Sequence, residues 1–155
     1  MKKSNFLIKL KIQKRLELVE PSEEIKESYL KKAESNLDSA KILLEKDKLE
    51  ESIGLSYYSM YNSLLALLFK TGIKSENHSA SIILLKEIFN INNTEIYDAK
   101  KERIDKQYYV DFNVTKQEIE EAIKIAEDFN HQLYDFIEKL TQNKIQEFRG
   151  KFQDL

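Results

Sequence analysis

The 155-residue chain suits a single domain, and a domain of this size buries roughly 70% of the surface that its unfolded chain exposes. Cysteine is absent, which excludes disulfides, thiolate metal sites and a cysteine nucleophile, and the two histidines, His78 and His131, are too few for an all-histidine metal site. A formal net charge of −2 gives no global attraction toward nucleic acid, and three glycines with one proline are too few for a sheet protein built on tight turns.

Charged residues at 34% against hydrophobic residues at 41% fit amphipathic helices with solvated outer faces, so the expected fold class is an all-α bundle. The first predicted helix runs from about Asn5 to Val19 and stops before Pro21, because the residue preceding a proline is biased out of helical geometry. It is basic, with Lys2, Lys3, Lys9, Lys11, Lys14 and Arg15 preceding any acid. Those lysines read either as a solvated face or as a contact for RNA or a partner. Phe6, Leu7, Ile8 and Leu10 are too short and too interrupted by lysine for a signal-peptide core, so the chain is expected to be cytoplasmic. Residues 1–20 thus form a basic N-terminal helix, and 21–155 the bundle domain.

Ser22 offers a cap for the second helix, with Glu23 and Glu24 placed to complement its dipole. Ile25, Tyr29, Ala33, Leu37, Ala40 and Leu44 recur at three or four residues and define its inner face, which pauses near Lys46–Lys48. The third helix differs in kind, since Ser52 to Phe69 carries no charge and is apolar all around. A helix of that type is the centre of a bundle or a membrane span, and its serines, Asn62, Gly54 and tyrosines favour the bundle. Ser52, Ser56, Ser59, Ser63 and Ala66 form a line of small residues that another backbone can approach, from the same chain or from a second copy.

Gly72 is expected to end this helix in the left-handed conformation, followed by a loop over Ile73 to Asn77. A fourth helix covers about His78 to Phe89, Asn92 and Asn93 mark a turn, and Thr94 to roughly Lys106 reads as a more polar helix. After an interrupted aromatic stretch, Thr115-x-x-Glu118 is a capping-box pattern opening a long helix to Leu140. Ile145, Phe148 and Phe152 read as its extension, fraying near Gly150.

Most carboxylates sit among lysines at helical spacing and read as solvated faces, and no Glu-x-x-His or His-Glu-x-x-His metal pattern occurs. Neither a metal nor a cofactor is expected. Two patches hold candidate chemistry. Ser56-Tyr57-Tyr58-Ser59-Met60-Tyr61-Asn62 puts phenols and an amide inside the most buried helix, where they either satisfy one another or face a ligand groove. Arg103 and Gln107 share one face near the end of the polar helix, one turn apart, with Tyr108 close by, offering a planar fork for phosphate near an aromatic ring. The alternative is an arginine paired with neighbouring acids or with helix-end carbonyls.

Together the stretch Leu55–Ser63, the run Leu67-Leu68-Phe69-Lys70-Thr71-Gly72-Ile73 with Asn77-His78 after it, and the Arg103, Gln107, Tyr108 element resemble the HEPN domain family. The likeness is closest to the small stand-alone prokaryotic branch, with its tyrosine-rich helix, its glycine turn before a histidine and its arginine–tyrosine element before the last helix. It covers roughly Pro21 to Leu140.

The resemblance implies an up-and-down bundle of four to five core helices plus the N-terminal helix, often a homodimer, with a groove between the arginine region and the tyrosine-bearing helix. It implies a site made from Arg103, Gln107, Tyr108, Tyr58, Asn62 and His78, with RNA, a nucleotide or a nucleotidyltransferase as partner in a toxin–antitoxin type of pair. Many members of the family are RNases in which an arginine holds phosphate and a histidine, separated from it by four to six intervening residues, handles a proton. Here those positions carry Tyr108, Tyr109 and Val110. A phenol with an ordinary pKa near ~10 is a poor base at neutral pH, which leaves His78, from another helix, as a further catalytic candidate beside Arg103 and Tyr108. The leading expectation is therefore a protein that binds RNA, a nucleotide or a protein through this groove. The alternatives are a metal-independent RNase toxin and a structural adaptor.

Overall fold

The computed structural model describes residues 2–108 and 113–155, with side chains described over 3–105 and 113–155. It holds helices α1 (Lys2–Ile12), α2 (Glu23–Glu45), α3 (Leu49–Thr71), α4 (His78–Glu87), α5 (Thr94–Tyr108), α6 (Lys116–Glu138) and α7 (Gln142–Gln153), with two three-residue strands, β1 (Leu16–Leu18) and β2 (Ile73–Ser75). The protein is an all-α helical bundle.

The first helix departs from the sequence expectation. It ends at Ile12 and not near Val19, because Lys14 takes the left-handed conformation (φ 57°) and Arg15 N–H closes on the Leu10 carbonyl at 2.9 Å. That is a Schellman stop made without glycine. Beyond it, Leu16 and Leu18 pair antiparallel with Ser75 and Ile73, so a strand stands where helix was expected and a second strand replaces the expected loop after Gly72. The alternation buries Leu16 and Ile73 against the bundle, and Leu7 and Leu10 bring α1 onto the same core.

Helices α2 and α3 form an antiparallel hairpin across a three-residue connection, stopped by Asp47 in the left-handed region (φ 58°). Their interface is made of small residues. Ser52 Oγ donates to the Ala40 carbonyl at 2.7 Å and Ser59 Oγ to the Ala33 carbonyl at 2.6 Å, with both alanines fully buried. The serine line of α3 is thus occupied by helices of the same chain. Asn130 of α6 completes it, donating to Ser59 Oγ (2.9 Å) while accepting from Ser63 Oγ (2.8 Å).

Ser22, Asn77 and Thr115 cap α2, α4 and α6 by accepting from the backbone N–H three residues on. The last segment is a helix of its own and does not continue α6. Thr141 caps α7, and Phe148 and Phe152 are buried, with the Phe148 ring 4.9 Å from Phe89 and 6.0 Å from Phe136. α7 is further fixed by Arg149, whose Nη1 lies 2.8 to 3.0 Å from the carbonyl oxygens of Val19, Thr71 and Gly72. No helix among the described residues is long and apolar enough to cross a membrane.

Candidate functional site

Three elements meet over the middle of α3. The glycine stop and the β1–β2 pairing turn the chain back so that Asn77 caps α4 and sets His78 as its first residue. α5 then returns along α3, with Ile96 fully buried and Ala99 packed on the core, which turns Arg103, on the same stripe, toward the tyrosines.

The tyrosines of α3 organise the cluster. Tyr57, fully buried, has its hydroxyl 2.8 Å from Nδ1 of His78. Tyr61 stacks on the imidazole, with centroids 3.8 Å apart and planes at 13°, and its hydroxyl reaches Ser81 Oγ at 3.1 Å. Ser81 Oγ lies in turn 2.8 Å from Ser75 Oγ and 3.0 Å from the Asn77 carbonyl oxygen, tying the ring system to the start of α4. Tyr58 accepts a hydrogen bond from Arg103 Nη1 at 3.0 Å, and the guanidinium carbon sits 5.1 Å from its ring centroid and 5.5 Å from that of Tyr57. Such stacking orients the planar fork while leaving it cationic.

The electrostatics follow from this packing. Burial holds the His78 pKa below its ordinary value near 6.5, and the cations of Arg103 and Lys100 push it in the same direction. Burial also raises the Tyr57 and Tyr61 phenols above their ordinary range. At neutral pH the cluster therefore presents one fixed cation, a neutral imidazole and two protonated phenols. It can grip an anion through Arg103, and His78 is the group able to exchange a proton near neutrality. Among the described residues no group of three or more histidine, aspartate or glutamate side chains gathers where a metal ion could sit.

Of the residues singled out from sequence, Arg103, Tyr58 and His78 come together. Asn62 is half-buried one turn beyond Tyr58 on α3 and takes no part in the hydrogen bonds of the cluster among the described residues. The side chains of Gln107 and Tyr108 lie outside the described residues. Tyr57 and Tyr61 belong to the tyrosine patch read from sequence, but not to the groove residues named from it. Their signal was present, since a phenol in the most buried helix must find a partner, and only the partner's identity was missing.

This arrangement, a tyrosine-rich central helix facing an arginine on one neighbour and a histidine after a glycine turn on another, coincides with a family match. The HEPN domain model matches residues 26–145. The chain belongs to the HEPN family. Relatives point the same way. The "UPF0332 protein PH1297" of Pyrococcus horikoshii is 45% identical over 56 residues, 36% of this chain, and the match spans 39% of that relative's length. The "Putative toxin MJ0605" of Methanocaldococcus jannaschii is 30% identical over 104 residues, covering 63% of this chain and 77% of the relative. The HEPN match takes in all of α3, α4 and α5, the three helices that build the cluster, and leaves α1 and most of α7 outside.

Proposed function

We propose that this HEPN protein binds single-stranded RNA, with a backbone phosphate held by Arg103 beside Tyr58 and His78. The observation that carries the reading is the Arg103–Tyr58 contact at 3.0 Å with two tyrosine rings beneath the guanidinium. A half-buried arginine oriented by aromatic rings suits a phosphate, because the fork gives two parallel donors and the rings offer stacking to a base. The toxin-like role borne by the name of the Methanocaldococcus jannaschii relative is consistent with an RNA target. The test is fluorescence anisotropy of a labelled 12-nucleotide RNA in EDTA. Arg103→Ala is expected to weaken binding at least about tenfold, as loss of a charge-assisted phosphate contact does. Equal affinity of wild type and variant would remove the cluster from the function.

A second reading is favoured by one specific observation. His78 and Arg103 flank the same pair of tyrosines, so an arginine–histidine pair exists in space although positions 108–110, after Arg103, carry no histidine. In this reading the protein is a metal-independent RNase toxin, with Arg103 on phosphate and His78 moving the proton of the ribose 2′-hydroxyl. RNA cleavage in EDTA by the wild type, lost in both Arg103→Ala and His78→Ala, supports it. The homodimer and the nucleotidyltransferase partner implied by the resemblance belong to the same proposal. Light scattering and co-purification with the product of an adjacent nucleotidyltransferase gene test them.

A further inference from the structure

The two flanks of α5 carry opposite charge. Glu95, Asp98 and Glu102 line a pocket of about 200 Å³ against α3 and α6, floored by Ile53, Tyr57 and Met60. The other flank bears Tyr97, Lys100, Lys101 and Ile104. There, between α4 and α5 and under the start of α1, lies a groove of about 260 Å³ bordered by Lys3, Ser79, Ile83, Asn93, Tyr97 and Lys100. Its walls are held in place, since Asn93 Nδ2 donates to the Ile82 carbonyl at 2.8 Å across the α4–α5 turn.

Three features of this groove belong together. Tyr97 is 59% exposed, the most exposed tyrosine ring on the described surface and one with no core role to explain it. Ile82 and Ile83 supply an apolar wall at the same place. Lys3 and Lys100 supply cations to the groove from two separate elements, and Lys101 stands next to Lys100 in the adjoining hollow lined by Tyr97 and Ile104. A flat apolar slot beside an exposed ring, bordered by separated lysines, matches a base stacked on an aromatic face with phosphates on either side. The groove lies beside the Arg103 cluster, with Lys100 one turn before Arg103 on α5. Ser79 follows His78 on α4, and Lys100 both lines the groove and lies near enough to His78 to act on its charge.

We infer that the α4–α5 groove is a second nucleotide subsite, in which Tyr97 stacks a base and Lys100 and Lys101 hold the phosphates of an RNA strand running on from Arg103. The inference rests on the RNA-binding reading of the Arg103 cluster. It commits to single-stranded nucleic acid, because the acidic flank of the same helix repels that strand and so confines it to the basic side.

The experiment is anisotropy of a fluorescein-labelled 12-nucleotide oligouridylate with wild type, Arg103→Ala, Tyr97→Ala, Tyr97→Phe and a Lys100→Ala/Lys101→Ala double variant. Tyr97→Ala is expected to weaken binding about tenfold and Tyr97→Phe to retain it, as for a stacking platform. The double lysine variant is expected to flatten the slope of log affinity against log salt by about 1.4, for two single-strand phosphate contacts. Weakening by Arg103→Ala with no change in Tyr97→Ala or in the salt slope overturns this subsite and leaves the Arg103 site standing. No binding by the wild type overturns both. Displacement of the RNA by polyglutamate of equal charge at lower concentration overturns the nucleic-acid assignment in favour of an acidic protein partner.

Discussion

Tyr61 and His78 stack ring on ring, with centroids 3.8 Å apart and planes inclined by 13°, and Nδ1 of the imidazole faces the Tyr57 hydroxyl at 2.8 Å. That enclosure, together with the cations of Arg103 and Lys100, makes protonation of His78 unfavourable in the folded protein. The sign of the consequence is fixed by linkage. With a folded pKa below 6.5, the unfolded chain takes up the proton first as pH falls. Stability contributed through His78 is therefore full above about pH 6.5, declines as pH drops from there to the folded pKa, and stays constant below it. An NMR titration of the His78 ring protons is expected to give a midpoint below 6.5, and saturating RNA is expected to raise it by placing an anion nearby. A midpoint at or above 6.5 in the free protein would contradict the enclosure.

Arg103 and Tyr58 lend themselves to a graded test. Tyr58→Phe keeps the ring 5.1 Å from the guanidinium and removes only the hydroxyl that accepts at 3.0 Å. Its effect on RNA affinity is expected to be small, roughly two- to fivefold, because the guanidinium keeps its charge and its stacking rings and loses only an orienting acceptor. Arg103→Lys keeps the charge but loses the planar fork, and is expected to fall closer to Arg103→Ala than to wild type. If Arg103→Lys bound like the wild type, a point charge would be sufficient and the bidentate geometry irrelevant.

How far these elements were legible in sequence depended on whether their signals were local. The Ser22, Thr115 and Gly72 boundaries were readable, because a capping hydroxyl or a left-handed glycine acts within a few residues. The end of α1 was not, since Lys14 occupies a conformation that its side chain does not advertise. The β1–β2 pair escaped for another reason. Each strand has only three residues, and their partnership spans more than fifty positions. At the site, the two patches pointed to Tyr58 and Arg103 by residue type, and His78 was a candidate only through the family resemblance of the turn before it. Which tyrosine meets the histidine is a matter of helix rotation that no spacing in one helix records.

The Ser59–Asn130–Ser63 network ties the centre of α3 to α6 with every member buried. Asn130→Leu removes both contacts and leaves the Ser63 hydroxyl without its acceptor. A cost of about 1–3 kcal/mol is expected, and a fall in Tm of about 2–4 °C for each kcal/mol. Calorimetry decides the matter, and an unchanged Tm would mean that α3 and α6 are held by apolar packing alone.

Two glycines offer a paired test, Gly72 at the end of α3 and Gly150 inside α7. Gly72 adopts φ +75°, and a Cβ there would collide with the Arg149 guanidinium and the Val19 carbonyl oxygen. Gly72→Ala is expected to cost at least about 1–2 kcal/mol from the left-handed backbone alone, with the collision adding to it. Gly150 lies inside α7, and a Cβ there meets nothing within 4 Å. Gly150→Ala is therefore expected to stabilise by roughly 0.5–1 kcal/mol, because a helical alanine loses less backbone entropy on folding than a glycine. Urea denaturation of both variants reads the two signs. A gain at Gly150 requires α7 to be a formed and docked helix, held by Phe148, Phe152 and the Arg149 contacts to the end of α3. No gain would mean that the helix opens at its end before the bundle unfolds, and that the Arg149 contacts do little to hold the β1–β2 turn on which the position of His78 depends.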